Sequence, residues 1–422
     1  MARPSRSPRP DRVFLVIAST AAFVSTLVFT IAPVYRFRVA GLDDLELVLV
    51  GTVMEAAVFL FEIPTGVVAD RFSRKWSVII GHAGIGAGLV IEAAAASFPG
   101  VLVGQAVWGL AYTFTSGATV AWVAGELREP DRAVLRRLFL RAGRLGSAGA
   151  LVAVPLSFAL GINVSLRAPL IVGGCISVGL ALWLVRAMVE DHFTPATTRE
   201  RSTWRHMAAS AAAGVRVIRA SSVLLFLTLA LFLAGGASEA YDRYIEKLLL
   251  GLERPGWPGW SGLTWLAVVG WSSAALGIVV PWWFERRHPR LGDAGQRRWI
   301  IGLIVTQVAA LVVLAVTGSF LLAAAISLVV NRVRSLRSSL LAAWIVPLTP
   351  ADRRATVLST MEQADSVSQV TIGPGMGVIG KVAGIPAALT ASAVLLAPSA
   401  LAVRRAGRSD VPDAVAPAKI GR

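Results

Sequence analysis

Apolar residues run through this chain in blocks of about twenty, and short polar clusters separate them. A helix rises about 1.5 Å per residue, so roughly 20 apolar residues cross the ~30 Å hydrocarbon core of a bilayer. Twelve such blocks can be drawn, at 13–34, 46–69, 76–96, 99–124, 139–160, 167–187, 221–241, 262–284, 299–317, 319–346, 356–380 and 385–403. The pattern predicts an all-α membrane protein of twelve transmembrane helices. A basic leader at 1–12 precedes a first bundle of six spans at 13–187. A polar linker at 188–220 joins it to a second bundle at 221–403, and residues 404–422 form a polar tail expected to be disordered. The leader and first block resemble a signal peptide in charge, but the apolar run is too long and lacks a small-x-small cleavage site, so it reads as a retained span.

Composition removes the soluble alternatives. Of the chain, 55% is hydrophobic and only 16% charged, and the mean hydropathy is +0.67. A soluble core cannot hide so much apolar surface, and a disordered chain would be more polar. The net charge of +16 would suggest nucleic acid in a soluble protein, but its distribution gives another reason. With the N-terminus inside, 31 basic residues fall on inside segments and 7 on outside ones. That is the positive-inside bias, and it predicts cytoplasmic termini in a plasma or inner membrane, with membrane lipids and not nucleic acid as surroundings. The remaining three, Arg332, Arg334 and Arg337, lie within the tenth block.

Between spans two and three stands GVVADRFSRK, with Gly66, Asp70-Arg71 and Arg74-Lys75. It resembles the signature loop of the major facilitator superfamily, Gly-x-x-x-Asp-Arg-x-x-Arg-Lys/Arg, at every fixed position. The resemblance covers essentially the whole chain and implies two pseudo-symmetric six-helix bundles working by alternating access. EIPTGVVAD, SGATVAWVAGEL, SEAYDR and DRRATVLS resemble the bacterial drug-efflux, drug:proton antiporter branch. Two features depart from it. Gln105 stands four residues before Gly109 where antiporters carry an arginine, and span five has Gly143, Gly146, Gly149 and Pro155 without a Gly-Pro-x-x-Gly-Gly run. A proton-coupled uptake symporter for a small metabolite therefore stays open as the alternative to efflux.

The resemblance implies a conformational latch built from Gly66, Asp70, Arg71, Arg74 and Lys75, with Glu126 as the acid partner of Arg71 or Arg74. A topology anchor is the other reading of the same basic loop. Ionisable residues inside spans are costly and hence suspect. Glu55 and Glu62 lie seven apart in span two, nearly on one face; Glu92 is placed where it can snorkel. Glu239 and Asp242 close span seven near Arg243. The densest cluster combines Arg332, Arg334 and Arg337 with Glu362 and Asp365, and interhelical Arg–carboxylate pairing is expected there. One of these acids, or Glu55, carries the coupling proton, or else the cluster is a static ion pair.

The superfamily's central cavity would be lined by Gln105, Trp108, Tyr112, Phe114, Phe226, Phe232 and Asn331. An apolar, aromatic set suits a lipophilic small molecule better than a sugar. Trp257 and Trp260 read as an interfacial belt or a ligand cage. GPGMGVIG at 373–380 has Gly-x-Gly-x-x-Gly spacing but lies inside an apolar block, where helix packing is its expected role. Cys175 is the only cysteine and the four histidines are scattered, so neither metal nor cofactor is expected. With no phosphate loop, His-Glu-x-x-His or Gly-x-Ser-x-Gly, the chain reads as a monomeric transporter and not an ATPase or other enzyme. A non-transporting receptor would be expected to carry a soluble domain.

Overall fold

A computed structural model describes residues 9–127, 132–193, 212, 214–288, 291–349 and 354–407. Most of the linker at 188–220, the first eight residues of the leader and the tail beyond Gly407 lie outside the described residues. The described chain is helical, in the order α1 (Pro10–Phe29), α2 (Ala32–Arg38), α3 (Asp44–Arg71), α4 (Arg74–Ala94), α5 (Phe98–Glu126), α6 (Arg132–Asn163), α7 (Ala168–Ala187), α8 (Ser222–Gly251), α9 (Gly262–Arg287), α10 (Asp293–Val316), α11 (Phe320–Leu348), α12 (Arg354–Ala383) and α13 (Ile385–Ala406). Twelve are long helices; α2 is a short continuation of the first span beyond a break at Thr30–Ile31. Pro33 has no N–H to complete the ladder across that break.

Polar punctuation sets the helix starts. Asp43 and Glu46 form a reciprocal capping box on α3, with both bonds at 2.9 Å. Ser73, Ser97, Ser221 and Ser319 cap α4, α5, α8 and α11 through their hydroxyls. Among the described residues, eight helices, taking α1 and α2 together, are long and apolar enough to cross a membrane, and α3, which bends by 42° at Pro64, makes a ninth if it is one span. The other long helices are α5, α11 and α12; α11 and α12 hold Arg332, Arg334, Arg337, Glu362 and Asp365.

The helix limits depart furthest from the apolar blocks at α8 and α6. Helix α8 runs ten residues past the block end at 241, so the outer loop is 252–261. Tyr244, Ile245 and Leu249 are buried on that extension, which is amphipathic and so shows no continuous apolar run. Helix α6 begins at Arg132 because an arginine-rich stretch with helical propensity extends it before the apolar block.

Two compact units emerge. Unit 1 comprises Met1–Ser202 with Trp257–Ala274, and unit 2 comprises Thr203–Gly256 with Ala275–Arg422. In unit 1, α4 packs against α5 and α7 through paired glycines. A Cβ at Gly88 would lie 2.7 Å from the Gly104 carbonyl oxygen, and one at Gly86 would lie 2.6 Å from that of Gly174. Side chains there would push the backbones apart, so small residues set these crossings. In unit 2, α8 packs against α13 and α12, and the Gly236 N–H donates to Ser368 Oγ at 3.0 Å.

Candidate functional site

The signature loop joins α3 to α4. Arg74 Nη2 lies 3.2 Å from Asp70 Oδ1, and Arg74 Nη1 donates to the Ala121 carbonyl at 3.1 Å near the end of α5. Phe193 lies under the same guanidinium at 5.7 Å. Glu126 is engaged elsewhere: it accepts from the His192 backbone N–H at 3.0 Å and faces His192 Nδ1 at 3.3 Å. Arg74, one of the two arginines expected to meet Glu126, therefore reaches Asp70 and the Ala121 carbonyl. Lys75 follows at the start of α4, and Gly66 has open space where a Cβ would project.

Sequence reasoning overlooked Glu190, which follows α7. Its carboxylate accepts from Ser73 Oγ at 2.5 Å, the Arg74 N–H at 2.7 Å and the Lys75 N–H at 3.1 Å. An anion over the first turn satisfies orphan donors and meets the positive end of the helix dipole. The indole of Trp122, 2% exposed, donates to the Val189 carbonyl at 2.7 Å. Residues 189–193 thus bind the start of α4 to the end of α5. The acidic residue after a span end was the available signal, but nothing local tells which helix it reaches.

Deep in unit 1, Glu92 is fully buried and does not snorkel. Arg36 Nε donates to Oε1 at 2.8 Å, Gln105 Nε2 donates to Oε2 at 2.5 Å, and Tyr35 OH donates to the Glu92 carbonyl at 2.6 Å. Gln105 accordingly belongs to an ion cluster. Trp108 and Tyr112 stack with ring centroids 5.3 Å apart, Phe29 meets Trp108 edge-on at 5.3 Å, and all three line a cavity within this unit. Phe114 is half-buried, and its carbonyl accepts from Ser77 Oγ at 2.8 Å. Glu55 is half-buried in the middle of α3, and Glu62 is exposed beside Pro64.

Unit 2 holds the denser ion network. Arg334 donates to both oxygens of Asp242 and lies over the Tyr241 ring at 5.7 Å. Tyr241 OH donates to the Ser327 carbonyl at 3.0 Å and lies 3.1 Å from Asn331 Oδ1. Glu239 pairs with Arg243 one turn on, at 3.4 Å. Asp365 accepts from Gln369 Nε2 at 2.8 Å, Arg337 donates to Gln307 Oε1 at 2.7 Å, and Arg332 packs its guanidinium beside Gly277. The expected Arg–carboxylate pair thus forms with Asp242 of α8. Glu362 is exposed, and Asp365 lies near Arg334 without a direct bond to it. Phe226 lies under Arg405 at 6.0 Å, and Phe232 is half-buried.

Trp257, Trp260 and Trp265 touch one another, with centroids 4.7–5.0 Å apart. Rings in direct contact leave no slot for a guest between them. Among the described residues, no group of three or more acids, histidines or cysteines could hold a metal ion.

Among the described residues, twelve long helices, eight or nine of them long and apolar enough to cross a bilayer, define a multi-pass membrane protein. The family model described as the Major Facilitator Superfamily matches residues 13–331, and the chain belongs to that superfamily. Among solved structures, it is similar to the nucleoside transporter NupG in its D323A form, with 14% identity, a TM-score of 0.76 and coverage of 94% of this chain and 99% of that one. It is also similar to a bacterial homolog of the human lysosomal transporter Spinster, in an inward-facing, unoccupied conformation (15% identity, TM-score 0.72, coverage 97% and 98%). A peptide transporter, POT, in complex with sulfate has 14% identity, a TM-score of 0.72 and coverage of 96% of each chain. At these identities the likeness concerns the fold. No curated protein matches the chain by sequence.

Proposed function

We propose that this superfamily member is a proton-coupled exporter of lipophilic small molecules in the plasma membrane, a monomer with both termini in the cytoplasm. The observation that carries the coupling is the Arg334–Asp242 pair of α11 and α8, with Asp365 of α12 close by. One arginine near two carboxylates can exchange partners as one acid takes up a proton. Movement of α8 against α11 and α12 would then accompany protonation. The aromatic wall of Phe29, Trp108 and Tyr112 supports a lipophilic cargo. In this reading Asp70, Arg71, Arg74 and Lys75 form the cytoplasmic latch, and Glu190 and Glu126 hold its base.

The test is uptake of a lipophilic dye into inverted proteoliposomes under an imposed pH gradient. Wild type should concentrate the dye against its own gradient, and Asp365→Asn or Asp242→Asn should reduce this to downhill exchange. Asp70→Asn should slow both modes. Accumulation by wild type that persists unchanged in both acid variants would overturn the coupling assignment. Dye movement insensitive to the pH gradient in wild type would overturn proton-coupled export itself.

A further inference from the structure

Helix α6 buries two of its faces and leaves a third bare. Toward α1, Ser157 Oγ donates to the Leu27 carbonyl at 2.6 Å and Phe139 meets Phe14 edge-on at 5.6 Å. Toward α9, the Leu151 carbonyl accepts from the Trp271 indole at 3.2 Å, and Val154 and Phe158 stand against Gly270. Opposite the α1 face lie Arg137, Arg141 and Arg144, spaced by four and three residues and so stacked along the helix. All three are exposed, and among the described residues none of their side chains makes a hydrogen bond or ion pair. The same stripe continues, at steps of three and four, through Ala148, Val152, Pro155, Ala159 and Ile162. Each of these five is apolar and exposed, Val152 by 58%.

We infer that this face binds an anionic phospholipid of the surrounding bilayer, with its phosphate on the arginines and an acyl chain along the apolar stripe. The length agrees. From Arg144 to Ile162 the helix rises about 27 Å, close to the ~30 Å of the hydrocarbon core. Arg144 therefore falls at the edge of the core, and Arg141 and Arg137 lie in the headgroup layer beyond it. The charge agrees as well. Three guanidiniums without a carboxylate attract an anion, and a guanidinium meets a phosphate through two parallel N–H donors. A zwitterionic headgroup would bring its own cation to the arginines. A second copy of this chain, seated two-fold on the same face, would set arginine against arginine. The inference rests on the membrane-spanning fold and not on the cargo or coupling readings.

The test is native mass spectrometry of the full-length protein, solubilised in detergent with equimolar phosphatidylglycerol and phosphatidylcholine of identical acyl chains. Wild type should retain phosphatidylglycerol at least about fivefold over phosphatidylcholine. Arg137→Gln/Arg141→Gln/Arg144→Gln should bring the ratio close to one. Arg286→Gln/Arg287→Gln/Arg404→Gln removes three other exposed arginines, and hence the same charge, and should keep at least half of the preference. Equal losses in the two triple variants would replace the stripe by diffuse charge and overturn the site. A ratio near one in wild type would overturn it outright. Displacement of the lipid by millimolar glycerol phosphate would overturn the acyl-chain contact. A dimer in wild type that the α6 variant loses would show a second copy on this face in place of lipid. The wild-type ratio and the glycerol phosphate competition need no variant, so misfolding of a substituted protein leaves the proposal refutable.

Discussion

Each unit holds an interhelical arginine–carboxylate pair, but only one of the two pairs is sealed from solvent. In unit 1 the Arg36 and Glu92 side chains are 5% and 0% exposed, and Gln105 and Tyr35 close the cluster. Paired glycines hold the surrounding helices in tight contact. In unit 2 the Arg334 and Asp242 side chains are 26% and 36% exposed, and further charged or polar groups, Asp365, Arg337 and Gln307, lie around them. A sealed pair is a fixed structural element, since separating it leaves a bare charge in hydrocarbon. A half-open pair with alternative partners can exchange them at small cost. On the function proposed above, the first pair would serve as scaffolding and the second would take part in the mechanism.

The largest effect should come from the sealed pair. Glu92→Ala leaves Arg36 without its carboxylate and should cost about 3–5 kcal/mol, read by thermal or denaturant unfolding in detergent. Transport per folded molecule should stay near wild type. Lost transport with intact stability would break the comparison. Arg334→Ala should cost less, about 2 kcal/mol, because a third of Asp242 remains exposed and water screens it. Its transport should nevertheless fall at least tenfold, and Arg334→Ala/Asp242→Ala should regain stability without regaining gradient-driven accumulation. Equal coupling in the double variant and wild type would remove the pair from the mechanism.

Smaller effects sharpen the picture. Gly88→Ala puts a methyl against the Gly104 carbonyl and should cost about 2 kcal/mol through separation of α4 and α5. The downward shift in unfolding temperature should disappear from no single compensating side-chain change, because the obstacle is backbone. Glu190→Ala removes the carboxylate from the first turn of α4 and should cost about 1 kcal/mol. Faster amide hydrogen exchange at Arg74 and Lys75 would report it, and unchanged exchange there would exclude the cap.

The twelve helices could be read from apolar run length, because every backbone group in a bilayer must be satisfied within its own helix. The extension of α8 through Tyr244, Ile245 and Leu249 could not, since its burial rests on one face and not on a continuous block. The charged residues were visible too: Arg334, Asp242 and Glu92 stand out in apolar surroundings. Their partners did not. Arg334 lies close in sequence to Glu362 and Asp365 yet bonds Asp242, and Glu92 bonds Arg36 across 56 positions. Glu190 meets Arg74 across 116 positions, in a loop that looked like an ordinary polar connection.

The amino-acid sequence by itself determined that this chain crosses a membrane many times, through the length of its apolar runs and its low share of charged residues. It also determined the superfamily, because the Gly66–Lys75 motif and the spacing of the spans are both linear patterns. Only the tertiary structure decided which charges are neighbours, which glycines touch, and which face of α6 stays bare. Those facts depend on the order and rotation of helices about their axes. Side-chain size and pairing across the whole bundle select that arrangement, and no single segment contains it.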